Sequence, residues 1–323
     1  MSSYLVTGAA GFIGSHLSAE LQLRGNHVRG VDAFTDYYAR SLKYENLAWA
    51  QSFGRLEFFE ADLASAQLES LLDGVDGVFH LAAQPGVRPS WGTEFEIYLR
   101  DNLLASQRIF GAAARLRLRV VYASSSSIYG DAERYPTGEE LPPRPISPYG
   151  ITKLGCEHLA RSFAHARGLD AVGLRYFTVF GARQRPDMAF TRLARAAVHG
   201  GPFELLGDGE QSRDFTYVGD AVAATIAAME LGRSGANYNV GGGAETTLNR
   251  VIEMIEQLSG NTIAIRRRRR AAGDVRRTAS DTSRIRRDVG WFPKTSIRDG
   301  LVEQLEWTRS LAPQVLTPAT VYA

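Results

Sequence analysis

Along the first half of the chain, short apolar runs alternate with longer stretches whose apolar positions recur every three or four residues. Residues 4–7 read as a short apolar strand. Residues 12–24 carry helical periodicity and stop at Gly25, and residues 27–31 form the next strand, ending at Asp32. Residues 56–60, 77–82 and 119–123 are further apolar runs of strand length, with helical stretches between them. This alternation predicts an α/β fold, a parallel sheet covered by helices on both faces. Ligands of such sheets bind beyond the carboxyl ends of the strands.

After about residue 175 the pattern loosens. Gly and Pro punctuate residues 179–219, a helix is expected at 220–230, a strand at 237–240 before Gly241-Gly242-Gly243, and a helix at 248–258. The expected organisation is a dinucleotide-binding domain over residues 1–175, with returning segments near 214–240. Residues 176–323 mainly form a smaller lobe over the strand ends. There is no internal repeat and no long linker.

Composition narrows the classes of function. With 323 residues the chain can build one large core or two lobes around a cleft. Hydrophobic residues at 44% and charged residues at 22% are ordinary for a globular protein. A net charge of +2 provides no global field toward nucleic acid or membrane. Five consecutive arginines, at 266–270, are the exception; they read as a mostly solvated edge strand. The one cysteine, Cys156, excludes an intrachain disulfide and reads as a small buried residue on a helix. No basic leader precedes an apolar core, and no run of about 18 apolar residues occurs, so a cytoplasmic address is expected. No His/Cys/Asp cluster has metal-ligand spacing, and no metal is expected. His16 and His80 read as structural.

The first motif is Val6-Thr7-Gly8-Ala9-Ala10-Gly11-Phe12-Ile13-Gly14, between a strand and an amphipathic helix. Glycines permit a tight turn and let backbone approach a phosphate, while the helix N-terminus offers unpaired N–H groups and a positive dipole end. Asp32 lies eighteen residues after Gly14, at the end of the second strand. A carboxylate there accepts hydrogen bonds from a ribose diol, which favours NAD over NADP. The fold expected is therefore a Rossmann-type doubly wound sheet with NAD as cofactor.

The second motif is Ser147-Pro148-Tyr149-Gly150-Ile151-Thr152-Lys153. Tyr149 and Lys153 are four residues apart and share one helix face. A free phenol titrates near about 10, and a neighbouring ammonium favours its phenolate. Upstream, Tyr122-Ala123-Ser124-Ser125-Ser126-Ser127-Ile128-Tyr129-Gly130 emerges from an apolar strand. A hydride carrier beside an activated tyrosine points to proton-coupled oxidation of an alcohol, or its reverse.

On these motifs the chain resembles the extended short-chain dehydrogenase/reductases, in their nucleotide-sugar epimerase and dehydratase branch. The resemblance implies that Asp62 and Leu63 contact adenine. Leu81, Ala82 and Ala83 line the cofactor diphosphate and ribose, Lys153 binds the nicotinamide ribose, and Tyr176 and Phe177 flank the nicotinamide. It gives Ser125 the part of a hydroxyl sharing the substrate proton with Tyr149. Dehydratases of the branch carry an Asp-Glu pair at the next two positions, and decarboxylases a Glu at the second. Here Ser126 and Ser127 stand there, and neutral hydroxyls do not run that acid–base chemistry.

Further segments are similar to UDP-glucuronate 4-epimerases: Asp32-Ala33-Phe34-Thr35-Asp36-Tyr37-Tyr38, His80-Leu81-Ala82-Ala83-Gln84-Pro85-Gly86-Val87-Arg88, and Arg185-Pro186-Asp187-Met188. That likeness implies a UDP-sugar substrate and a homodimer. It places the sugar carboxylate against Ser126, Ser127, Thr178 and Arg185, with Arg88 a second anion contact. Arg213 would meet the UDP, and Arg270 and Asp274 its diphosphate and ribose. Pro85 and Pro89 depart from the usual loop. The reading is NAD-dependent 4-epimerisation of a UDP-sugar, foremost UDP-glucuronate to UDP-galacturonate. The alternatives are a neutral UDP-glucose or UDP-N-acetylglucosamine 4-epimerase, a UDP-sugar decarboxylase or dehydratase, and a non-catalytic NAD sensor. No nucleic acid and no membrane is expected as partner.

Overall fold

The computed structural model describes residues 1–269, 275–313 and 315–316. Arg270 and Asp274, expected at a ligand diphosphate and ribose, lie outside the described residues.

Six strands open the chain: β1 (Ser3–Thr7), β2 (His27–Asp32), β3 (Leu56–Glu60), β4 (Gly77–His80), β5 (Arg119–Ser125) and β6 (Ala171–Tyr176). Seven more follow: β7 (Val179–Phe180), β8 (Pro202–Leu206), β9 (Ser212–Asp214), β10 (Thr216–Tyr217), β11 (Asn237–Val240), β12 (Glu245–Thr247) and β13 (Ala264–Arg268). The helices are α1 (Phe12–Leu23), α2 (Arg40–Gln51), α3 (Leu68–Leu72), α4 (Phe95–Tyr98), α5 (Ala105–Leu116) and α6 (Pro148–Arg167). After them come α7 (Ala189–His199), α8 (Val218–Leu231), α9 (Leu248–Ser259), α10 (Ser283–Val289) and α11 (Ile297–Ser310).

The central sheet has seven parallel strands in the order β11-β6-β5-β4-β1-β2-β3, the doubly wound α/β fold expected from the alternation. Its middle strands are apolar on both faces because both are covered. Val6, Phe79 and Val121 face a core shared with α1, α2, α8 and α10. Their neighbours Leu5, Val78 and Val120 face α3, α5 and α6. A smaller core, from Phe180 and Phe215 with α7, α9 and α11, lies under the pairs β8–β13 and β9–β12.

Element by element, the expectations shift at the strand ends. β4 stops at His80, two residues early, because Leu81 and Ala82 turn their amides onto the Thr7 hydroxyl. β5 runs on to Ser125 because β6 continues beside it, pairing Ser125 with Tyr176. Strand 237–240 pairs in parallel with β6 at the edge of the central sheet. Arg266, Arg267 and Arg268 of the arginine run lie exposed in the strand β13. Among the described residues no helix is long and apolar enough to cross a membrane.

Candidate active site

The sheet order reverses between β1 and β4, and a cavity of about 390 Å³ opens at the carboxyl ends of the strands there. The glycine turn forms one wall. Gly8 has φ +72°, and a Cβ on it would meet the Ala82 backbone at 3.0 Å. A Cβ on Gly14 would lie 2.0 Å from the Gly8 carbonyl oxygen, so a side chain there is incompatible with the turn. Gly11 caps α1 with no side-chain hydrogen bond, which leaves the first-turn amides at Phe12, Ile13 and Gly14 facing the cavity. Such a turn fits a dinucleotide diphosphate.

Around it stand the other expected cofactor residues: Asp32, Asp62, Leu63, Leu81, Ala82, Ala83 and Tyr176 all line the cavity. The Asp32 carboxylate accepts the Phe34 amide at 2.9 Å and sits 3.7 Å from Lys43 Nζ. Lys43 was not legible as a site residue. It lies on α2, and only the fold returns it to Asp32, where burial lowers its pKa against the pull of that carboxylate. Asp62 accepts the Ala64 amide and pairs with Arg100. His80 stays out of the chemistry. Thr7 Oγ1 accepts the Leu81 and Ala82 amides, so its own proton goes to His80 Nδ1 at 2.9 Å, and His80 Nε2 donates to Ser106 at 3.0 Å.

On the opposite wall, α6 is built as its sequence dictates. Ser147 accepts the Gly150 amide as N-cap, Pro148 takes the first turn, and Gly168 closes the helix with a left-handed backbone. Tyr149 and Lys153 both face the cavity, with Lys153 Nζ 6.0 Å from the Tyr149 ring centre and donating to the Ala123 carbonyl at 3.0 Å. Ser125 Oγ accepts the Ser127 amide at 3.1 Å, starting a short 3-10 turn. Ser125, Ser126 and Ser127 line the cavity. Ser124 lines it as well, but its hydroxyl donates to Glu157 at 2.6 Å. Glu157 also takes a bidentate ion pair from buried Arg175.

Thr178 and Arg185 complete the substrate end of the cavity. Arg185 donates from Nε and Nη2 to Asp187, both at 3.0 Å, and this carboxylate holds the guanidinium pKa above its usual value against burial. Two expected contacts do not line the cavity. Arg88 is exposed at the head of the 3-10 turn Pro89–Trp91. Arg213 donates to the Val275 and Arg276 carbonyls, fastening that stretch against β9. The structure brings the residues expected to serve the cofactor, the catalysis and the carboxylate into one cavity, whose lining does not include these two arginines. Among the described residues no group of three or more His, Cys, Asp or Glu is placed to hold a metal.

A fold and a cavity of this kind define a nucleotide-dependent oxidoreductase scaffold, and the family follows from comparison. Residues 4–241 match the NAD dependent epimerase/dehydratase family, and the chain belongs to it. It is 41% identical to the uncharacterized UDP-glucose epimerase YtcB of Bacillus subtilis, covering 95% of this chain and 98% of that one. It is 35% identical to the UDP-glucuronate 4-epimerase of Thermodesulfobacterium geofontis, over 96% of this chain and 97% of that one. The crystal structure of UDP-glucuronic acid 4-epimerase from Bacillus cereus, in complex with UDP-glucuronic acid and NAD, superposes with a TM-score of 0.92. That structure is 38% identical, and the match covers 96% of this chain and all of the other.

Proposed function

We propose that this protein is an NAD-dependent UDP-sugar 4-epimerase whose substrate pair is UDP-glucuronate and UDP-galacturonate. The observation that carries this reading is one continuous cavity that joins the glycine turn, the Tyr149/Lys153 pair, the Ser125–Ser127 hydroxyls and Arg185. The relatives named UDP-glucuronate 4-epimerase support the choice of sugar.

Tyr149 takes the proton of the sugar 4-hydroxyl, and Lys153 beside it favours the phenolate that must form. Ser125 shares that proton. Its Oγ already accepts the Ser127 amide, so its own O–H is left to donate toward the substrate. NAD, which the glycine turn, Asp32 and Lys153 would hold, would supply reversible hydride transfer at carbon 4. The 4-keto sugar turns about its diphosphate linkage and presents its other face for the return of the hydride, and Tyr149 gives the proton back to the 4-oxygen. Redox is balanced within one turnover.

The keto intermediate of glucuronate is a β-keto acid, and it loses carbon dioxide when its carboxylate bond aligns with the ketone π system. Ser126, Ser127, Thr178 and Arg185 hold the carboxylate out of that alignment. With Nε and Nη2 engaged by Asp187, Arg185 offers Nη1 to it. A carboxylate at position 126 or 127 would repel this anion; the two hydroxyls do not. Dimerisation is proposed through the helical face where Leu99, Leu104 and Ile151 remain 43%, 45% and 56% exposed. The compartment proposed is the cytoplasm, where buried Cys156 stays reduced.

The test is proton NMR of the purified protein with UDP-glucuronate and no added cofactor. Signals of UDP-galacturonate at a stable ratio establish 4-epimerisation and retained NAD together. A UDP-pentose product would mean decarboxylation and would overturn the part given to Ser126 and Ser127. Turnover of UDP-glucose alone would move the substrate to the neutral sugar.

A further inference from the structure

Arg183 does not line the cavity, yet it has one of the few positive φ values on a non-glycine residue, +64°. Left-handed backbone on a long side chain persists only where the surroundings enforce it, and such residues gather at ligand clamps. The surroundings here are specific. The guanidinium lies 4.1 Å from the Trp49 ring centre and donates from Nη1 to Asn46 Oδ1 at 3.3 Å. Trp49 and Asn46 are on α2, and the Asn46 amide donates to the carbonyl of Ala10, inside the glycine turn. One residue earlier, the Ala182 carbonyl takes a hydrogen bond from His16 Nε2 of α1 at 2.9 Å, and the His16 ring packs edge-on against Trp49 at 4.9 Å.

One residue later the anchor changes sides. Gln184 is buried, with its Nε2 on the Val179 carbonyl and its Oε1 receiving the Thr191 amide, the Thr191 hydroxyl and Gln304. The turn at 181–187 is thus held by the cofactor-side helices α1 and α2 at Ala182 and Arg183, and by the substrate-side helices α7 and α11 at Gln184. The next residue is Arg185, which enters the cavity.

We propose that Arg183 is a positioning residue for Arg185. Its stack on Trp49 and its bond to Asn46 fix the 181–187 turn against the cofactor-binding half, and so set where Arg185 presents its guanidinium to an anionic sugar. The inference rests on the carboxylate-binding part assigned above to Arg185. It makes acid-sugar recognition depend on a contact between the two halves that touches neither ligand.

Calorimetric titration of the NAD-loaded protein with UDP-glucuronate and with UDP tests this, with steady-state kinetics and thermal midpoints alongside. Arg183→Ala is expected to weaken UDP-glucuronate on the order of tenfold, to raise KM while kcat changes little, and to leave UDP affinity unaltered. Arg183→Ala combined with Arg185→Ala is expected to bind no more weakly than Arg185→Ala alone, because the first residue acts through the second. Arg183→Gly accepts the left-handed backbone without strain. It is expected to bind the acid sugar as weakly as Arg183→Ala, and it serves as the deciding variant if the alanine form fails to fold. Wild-type affinity in Arg183→Gly, or additive losses in the double variant, would overturn the proposal. Equal affinities of Arg185→Ala and wild type for UDP-glucuronate would instead overturn the part given to Arg185 itself.

Discussion

At the scale of single residues, the polarity of each hydroxyl in the cavity is set by what holds its oxygen. Ser125 is capped from behind by the Ser127 amide and Ser124 is spent on Glu157, although the two are adjacent in sequence. The four-serine run announced a polar strand end, but alternation along β5 sends neighbouring side chains to opposite faces, and only pairing with β6 decides which is which. Tyr149→Phe removes the proton acceptor and leaves the glycine turn intact. Turnover is expected to fall by about 10² to 10⁴ while the purified protein keeps its NAD, read by absorbance after denaturation. His80 is buried and His16 partly so, and loss of solvent is the main cause that lowers them from 6.5 to about 3 and about 4. The unfolded chain therefore binds more protons as pH falls below about 6.5, so the stability these residues contribute is whole above that value and is lost toward pH 4. The urea midpoint is expected to drop between about pH 7 and pH 5, and His16→Gln, which retains an N–H donor for Ala182, to flatten that slope.

At the scale of elements, local signals and sheet pairing carried different shares. Both termini of α6 were written in its sequence by Ser147, Pro148 and Gly168, and the Tyr149/Lys153 face followed from helical spacing. Ser147→Ala is expected to lower unfolding free energy by about 1 kcal/mol, measured by chemical denaturation, through the lost cap at the Gly150 amide. The β1–α1 turn was equally legible. Gly14→Ala places a Cβ against the Gly8 carbonyl and is expected to give protein without bound NAD and with a lowered thermal midpoint. The β6 run went unread because Gly173 and Arg175 interrupt its apolar pattern, and only packing buries all six of its residues. The 237–240 strand was legible as a strand, whereas its partner β6 was not, since parallel partners are chosen by packing on α8 and α10.

At the scale of the whole molecule, the cavity exists because one sheet edge collects loops from distant parts of the chain. Ligand binding and stability are then linked: NAD at about one hundred times its Kd is expected to raise unfolding free energy by about 2.7 kcal/mol, seen as a concentration-dependent thermal midpoint. The exposed apolar face at Leu99, Leu104 and Ile151 belongs to this scale too. If the proposed dimer forms through this face, Ile151→Glu is expected to sediment as a monomer where the parent protein sediments as a dimer, with Tyr149 chemistry still measurable by NMR.

The sequence by itself determined the fold class, the glycine turn, the Asp32 position and the Tyr149/Lys153 face, because each is a short-range pattern whose geometry is set within a few residues. Tertiary structure alone decided that Lys43 joins Asp32, that the Ser124 hydroxyl is bound by Glu157, that Arg88 and Arg213 are not among the residues lining the cavity, and that Arg183 stacks on Trp49. Those outcomes rest on which strand pairs with which and on the burial that follows, and neither is encoded in any one stretch of chain.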